Sequence, residues 1–291
     1  MALEERKTFG NDPLKKHIKC IIYTGFVERH KPVSTLIFAE PERGKTVEVM
    51  KFNALGVVVF NDLTAYGLQE ELVNMGQIER EVFHHIIIPD LERIGAQSRN
   101  SKQELLATLQ VAMQEGIYHA TTRYTHVNFQ KPKVIGAIMC TTPREMRDKR
   151  SIFRRESFLS RVIPFSYNYS KQKRADIFQF IVHEEKVQKE KFDISIAAKE
   201  EVLMPITFKE KLIPYSRLLA SSIADFTTVT YQKNHKLVHY RPDLIGARTL
   251  EQLICYVKAI ALANDRPIVM REDFEEFEEL FRYFNFDMED M

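Results

Sequence analysis

The sequence predicts an α/β fold: a mainly parallel five-stranded sheet flanked by helices, followed by a small α-helical unit. Three observations carry this expectation. Five short apolar runs, Ser34 to Ala39, Val57 to Phe60, His85 to Ile88, Val134 to Cys140 and Val162 to Tyr167, have the length of buried strands. Helical segments separate several of them, as the crossovers of a parallel sheet require. From about Lys171 the pattern turns helical. The expected division is an α/β domain over 1–170 and a helical domain over 171–291.

Each element has a local cause. A helix is expected over 12–30, with Asp12 as cap and Pro13 in the first turn. The strand Ser34 to Ala39 leads into a helix after Gly44. The strand at Val57 to Phe60 is followed by a helix from about Leu68 to Phe83, then by the strand His85 to Ile88. Ser101 to Glu115 places Leu105, Leu106, Leu109 and Met113 at helical spacing. Ile117 to Phe129 is rich in Thr, Tyr and Val and reads as a β-hairpin. The charge run Glu184 to Lys191 reads as a solvated face or linker. Leu250 to Leu262 and residues 268–284 are the last expected helices.

The bulk numbers bound the function. A chain of 291 residues suits one large domain with a smaller one attached. Its 42 basic residues face 40 acidic ones, so any contact with nucleic acid must come from a local patch. Cys20, Cys140 and Cys255 lie far apart, without metal-ligand spacing, and read as buried thiols in a reducing compartment. The longest apolar runs fall far short of the ~20 residues that cross a bilayer. The charged start (Glu4, Glu5, Arg6, Lys7) does not look like a signal peptide. A cytoplasmic location with no membrane partner is expected.

The segment Ala39-Glu40-Pro41-Glu42-Arg43-Gly44-Lys45-Thr46 follows a strand and precedes a helix. It fits the P-loop with Ala39 in place of the first glycine. Gly44 lets main-chain N–H groups approach phosphates. Lys45 supplies a positive charge to the β- and γ-phosphates. The Thr46 hydroxyl can ligate Mg²⁺, and the helix start faces the anion. Glu40 and Glu42 place negative charge in the same loop. The expected cofactors are ATP and Mg²⁺.

Such a site needs an acid at the end of a strand beside the loop strand. Two strands end in acid, at Asp62 and at Asp90. Asp62 has the better local pattern but lies close behind the loop.

The order and spacing of motifs resemble an AAA+ ATPase over residues 8 to about 281, and within that group the minichromosome maintenance clade. In AAA+ proteins the acid-bearing strand is third in sequence, which implies Asp90 as the second metal-site residue after Thr46. Glu92 then stands as catalytic base, displaced by one residue from the usual Asp-Glu pair, and Asp62 becomes ordinary turn chemistry. Phe9 to Lys16 resembles the clade's lead-in helix. Gly136 to Pro143 resembles the sensor 1 strand, with Thr142 where the family has Asn. Phe158-Leu159-Ser160-Arg161-Val162 resembles the segment bearing a finger arginine that acts on a neighbouring subunit. Gly246 to Leu253 resembles the lid helix with the sensor 2 arginine, here Arg248. The resemblance implies a homo-oligomeric ring, expected to be a hexamer.

The hairpin resembles the clade's pore hairpin. Arg123 could meet phosphate and Tyr124 could stack on a base, with Lys131 and Lys133 flanking them. A second basic run spans Arg144 to Arg155. The chain shows neither zinc ligands nor an N-terminal nucleic-acid domain, so a partner protein supplying a substrate-binding domain is expected. Three functions fit: a helicase-like motor or replication factor acting on DNA, a protein remodeller similar to MoxR or chelatase ATPases, and a nucleotide-gated switch with weak hydrolysis. Stimulation by DNA, stimulation by a protein, and binding without turnover distinguish them.

Overall fold

The computed structural model describes residues 11–52, 56–78, 84–91, 99–121, 126–147, 156–182, 194, 198–233 and 236–287. Helix α1 (Asp12–Tyr23) and a 3-10 turn (Thr24–Phe26) lead into β1 (Ser34–Phe38). Then come α2 (Lys45–Val49), β2 (Val57–Val59), α3 (Ala65–Ile78), β3 (His85–Ile88) and α4 (Arg99–Gln114). A hairpin of β4 (Ile117–Thr121) and β5 (His126–Lys133) precedes β6 (Gly136–Thr141). Short helices α5 (Pro143–Arg147) and α6 (Glu156–Leu159) lead to β7 (Val162–Ser166) and α7 (Lys171–Val182). The C-terminal unit contains α8 (Ile206–Thr227), a hairpin of β8 (Val229–Lys233) and β9 (Lys236–Tyr240), α9 (Ala247–Ala263) and α10 (Arg271–Phe281).

The central sheet has five parallel strands in the order β2-β3-β6-β1-β7. Every residue of β1, β3, β6 and β7 is buried, which explains why these strands read as continuous apolar runs. Strand β2 is half-buried at the edge. Register aligns the carboxyl ends: Phe38 of β1 pairs with Thr141 of β6 and with Ser166 of β7. The chain leaves β1 for the far edge at β2 and returns to β7 on the other side of β1. That reversal opens a crevice beyond the carboxyl end of β1, where ligands of open α/β sheets bind.

Several local expectations shift. The helix expected over 12–30 ends at Tyr23. There Thr24 bonds back to the Ile21 carbonyl (2.6 Å) and accepts the Val33 N–H (2.8 Å), turning the chain into the approach to β1. Asn11, not Asp12, holds the cap position. The C-terminal region holds the β8–β9 hairpin beside its helices. The charge run 184–191 lies outside the described residues.

One apolar cluster runs from the sheet into the C-terminal helices. Within it sits a buried polar chain. Thr35 donates to the Ile163 carbonyl at 2.8 Å, so His17 Nε2 must donate to Thr35 Oγ1 (2.8 Å). His17 Nδ1 therefore accepts from the Tyr256 hydroxyl (2.9 Å). This fixes the tautomer of His17 and joins α1, β1, β7 and α9. Cys20, Cys140 and Cys255 are free buried thiols, and burial pushes each up to about 12. Among the described residues, no helix is long and apolar enough to cross a membrane.

Candidate nucleotide site and the distant arginine pair

The loop Ala39–Thr46 leaves the carboxyl end of β1 in a compact turn. Glu42 has φ 61° and Gly44 has φ 75°, while Arg43 between them keeps the ordinary sign. Such alternation turns successive N–H groups toward one concavity, the geometry of an anion nest. Glycine supplies the left-handed conformation freely at 44, whereas Glu42 holds it at a cost of roughly 1–3 kcal/mol. The Glu42 side chain is exposed rather than folded into the loop. Helix α2 is short, so its dipole adds little, and the main-chain N–H groups are the principal donors.

Lys45 is only 8% exposed. Its ammonium donates to the carbonyls of Ala39 (2.6 Å) and Glu40 (2.9 Å), which pins it against the start of the loop. Thr46 donates to the Pro89 carbonyl at 3.3 Å, tying the loop to the end of β3. Asp90 follows Pro89 and is half-buried. Burial pushes the Cys140 thiol up, with Lys45 drawing it down and Asp90 raising it further, so both charges act on one point at the end of β6. The fold thus assembles Lys45, Thr46 and Asp90.

One expectation is corrected here. The acid-bearing strand does not lie beside β1, because β6 separates them. Asp90 reaches the loop through the Pro89–Thr46 contact instead. Asp62 follows the edge strand β2. Glu92, Arg123 and Tyr124 lie outside the described residues. Lys131 is exposed and Lys133 half-buried on β5.

The paired threonines after β6 divide their roles. Thr142 Oγ1 accepts the Glu145 N–H at 3.4 Å and so caps α5. Thr141 is 2% exposed, and its hydroxyl has no hydrogen-bond partner among the described residues. An orphaned buried hydroxyl beside the end of β1 fits a phosphate or its water as partner. The family resemblance points to Thr142, which stands before Pro143 where the family has Asn.

Residues that the sequence did not single out hold the loop from behind. Tyr167 and Tyr169 both donate to the Arg43 carbonyl, at 2.7 and 2.6 Å. Arg43 Nε donates to Asn168 Oδ1 at 3.1 Å, and its guanidinium lies 5.5 Å from the Tyr169 ring centre. Tyr167 and Tyr169 stand two apart just past a strand end, a spacing that keeps side chains on one side.

Arg161 and Arg248 come together elsewhere. Arg161 immediately precedes β7, whereas the loop follows β1, and the two strands run parallel in register. They therefore sit at opposite ends of a sheet whose five-residue strands span about 16 Å. Arg248 donates to Ser160 Oγ at 2.8 Å. Arg161 is 13% exposed and 3.7 Å from the Glu115 carboxylate. Burial holds the Arg161 guanidinium below its usual range, and the Arg248 charge adds to that effect. Both line a cleft of about 300 Å³ with Lys31 and Glu251. Neither arginine can reach the loop of its own chain.

The residues at the loop fit Mg-ATP: an ammonium and a nest for phosphates, and Thr46 with Asp90 for the cation. Among the described residues no group of three or more His, Cys, Asp or Glu side chains could hold a metal by itself. A nucleotide-bound Mg²⁺ needs no such cage, since phosphates and waters complete its shell.

No protein-family model matches the chain, and no curated protein matches it in sequence. Its fold is similar to the solved structure of a presumed ATPase from Cytophaga hutchinsonii, at 14% identity and a TM-score of 0.50. That match covers 95% of this chain and 81% of the other.

Proposed function

We propose that this chain is an AAA+-type P-loop ATPase, binding Mg-ATP at Ala39–Thr46 and hydrolysing it at the interface between copies in a ring. The observation that carries this is the convergence of Lys45, Thr46 and Asp90 at the crevice beyond β1. The likeness of fold to a presumed ATPase supports it. Bound Mg-ATP supplies the phosphoanhydride bond that water cleaves. Lys45 would hold the phosphate oxygens, Thr46 and Asp90 would hold the cation, and Thr141 would supply a hydroxyl to the phosphate or its water. Arg161 and Arg248 face away from this site, the placement expected of residues serving a neighbour.

The likeness to the minichromosome maintenance clade rests on motif order alone. It supports a nucleic-acid motor, with exposed Lys131 on the hairpin as a phosphate contact. The decisive experiment is titration with labelled ATP and magnesium for the wild type and for Lys45→Ala, followed by turnover with and without single- and double-stranded DNA. Saturable uptake lost in the variant is expected, with turnover raised by DNA. Equal uptake by both proteins would remove the nucleotide assignment. Stimulation by a protein substrate alone would replace the nucleic-acid motor with a remodeller.

A further inference from the structure

A second cleft, of about 480 Å³, lies between the approach to β1 and the C-terminal unit. Its walls are strung together by main-chain bonds. Glu28 N–H donates to Glu200 O at 2.8 Å, Leu203 N–H to Pro267 O at 2.9 Å, and Val269 N–H to Leu203 O at 2.9 Å. The segment 200–204 is thereby fixed to the core on one side and to the turn before α10 on the other. The cleft is part of the scaffold.

Its lining is chemically mixed. His30, Lys209 and Lys258 contribute to it, all half-buried. Among the described residues, no hydrogen bond or ion pair engages any of their side chains. Arg29 at the rim is already met by Glu201 (3.6 Å) and Glu28 (3.9 Å). Arg29 also carries a left-handed φ of 61°, a strained conformation of the kind found at ligand sites. Apolar lining comes from Leu203, 57% exposed, and Ile268, 39% exposed, with Met204 and Pro205.

The cleft's two carboxylates, Glu28 and Glu201, are engaged by Arg29, and the two half-buried lysines repel each other. Burial holds Lys258 below its usual range, and the charges of Lys209 and Arg29 add to that effect while Glu201 acts against it. Burial likewise pushes His30 down to about 4, with Lys258 and Lys209 contributing, so at neutral pH it offers a neutral N–H. A dianion would relieve the repulsion and use all three groups as donors. An apolar body on that anion would cover Leu203 and Ile268.

We propose that this cleft is a binding site for a small organic phosphate, its phosphate held by His30, Lys209 and Lys258 and its apolar part lying on Leu203 and Ile268. The volume lies within the range of small-molecule sites. The site is separate from the loop Ala39–Thr46 and does not rest on the nucleotide assignment.

The test uses the full chain carrying Lys45→Ala, which silences the loop, titrated with phenyl phosphate by calorimetry. Saturable binding is expected, weakened at least tenfold by Lys209→Ala with Lys258→Ala and restored by arginine at both positions. Removing mutually repelling lysines should leave the melting temperature unchanged or raised, so loss of binding would not reflect unfolding. Benzoate, which carries one charge, should bind at least tenfold more weakly. Absence of saturable binding, or affinity indifferent to both lysines, would overturn the site. Equal affinity for benzoate would overturn the assignment to a phosphate.

Discussion

Tyr167 donates its hydroxyl hydrogen to the Arg43 carbonyl, 2.7 Å away, and Tyr169 approaches the same oxygen from a second direction at 2.6 Å. Tyr169 has one hydrogen to give, so the Asn11 amide, 2.8 Å away, must turn its N–H toward the Tyr169 oxygen for both lone pairs of the Arg43 carbonyl to be used. In a trans peptide the carbonyl and the following N–H point in opposite directions. Holding Arg43 O toward the tyrosines aims Gly44 N–H toward the loop concavity. Tyr167→Phe and Tyr169→Phe should each cost roughly 1 kcal/mol of stability, the worth of one such bond. Together they should weaken ATP about tenfold in titrations with labelled nucleotide. Unchanged affinity in the double variant would show that the loop keeps its shape unaided.

The two adjacent threonines allow a sharper separation. Thr141→Val removes a buried hydroxyl without a described partner, so stability should hold or rise by up to ~2 kcal/mol. ATP turnover should nonetheless fall at least tenfold, because that hydroxyl stands at the end of β6 beside the loop strand. Thr142→Ala removes the cap of α5 and should cost about 1 kcal/mol with little change in turnover. Chemical denaturation and steady-state rates on both variants check the assignment. The reverse pattern would return the role to Thr142.

Much of the fold was legible because burial on both faces makes the strands β1, β3, β6 and β7 continuous apolar runs. The loop was legible because Gly44-Lys45-Thr46 is local in sequence. What escaped is set by distant contacts. That β6 intervenes between β1 and β3 depends on crossover topology, which no window of sequence encodes. Tyr167 and Tyr169 matter because their strand ends beside the loop, 124 and 126 residues from Arg43 along the chain. The β8–β9 hairpin carried its own signal: Val229-Thr230-Tyr231 and Leu237-Val238-His239-Tyr240 are rich in β-branched and aromatic residues. The helical periodicity on either side outweighed it.

Stability should fall in mild acid through the buried histidines. Burial pushes His17 down to about 3 in the folded chain, and it holds His85 well below its ordinary value. Unfolded histidine titrates near 6.5. Between those values the unfolded state binds the extra proton, so stability drops as pH falls through about 6.5 and levels off only below the folded values. His17 alone should account for roughly 1.4 kcal/mol between pH 7.5 and 5.5, with His85 adding in the same direction. Urea denaturation at the two pH values measures this. In His17→Gln the difference should shrink by about that amount, whatever the variant's absolute stability. An undiminished difference would mean that other groups carry the acid response.

The arginine pair yields a test that one chain cannot pass alone. Arg161 and Arg248 adjoin Ser160 before β7, about 16 Å from the loop at the other end of the sheet. If they complete the site of a neighbour, Arg161→Ala should lose roughly 10³-fold in turnover while keeping its own ATP affinity. Arg248→Ala should act in the same direction. Lys45→Ala loses ATP binding but keeps both arginines. Mixing Lys45→Ala with Arg161→Ala should therefore restore turnover that neither possesses, because mixed rings contain interfaces with an intact loop on one side and an intact arginine on the other. Light scattering of the wild type with ATP should show a ring, expected to be a hexamer. Recovery in the mixture requires that contact between copies. Full turnover by Arg161→Ala alone would mean that each chain works unaided, and the arginines would then serve only to fasten α9 to the start of β7.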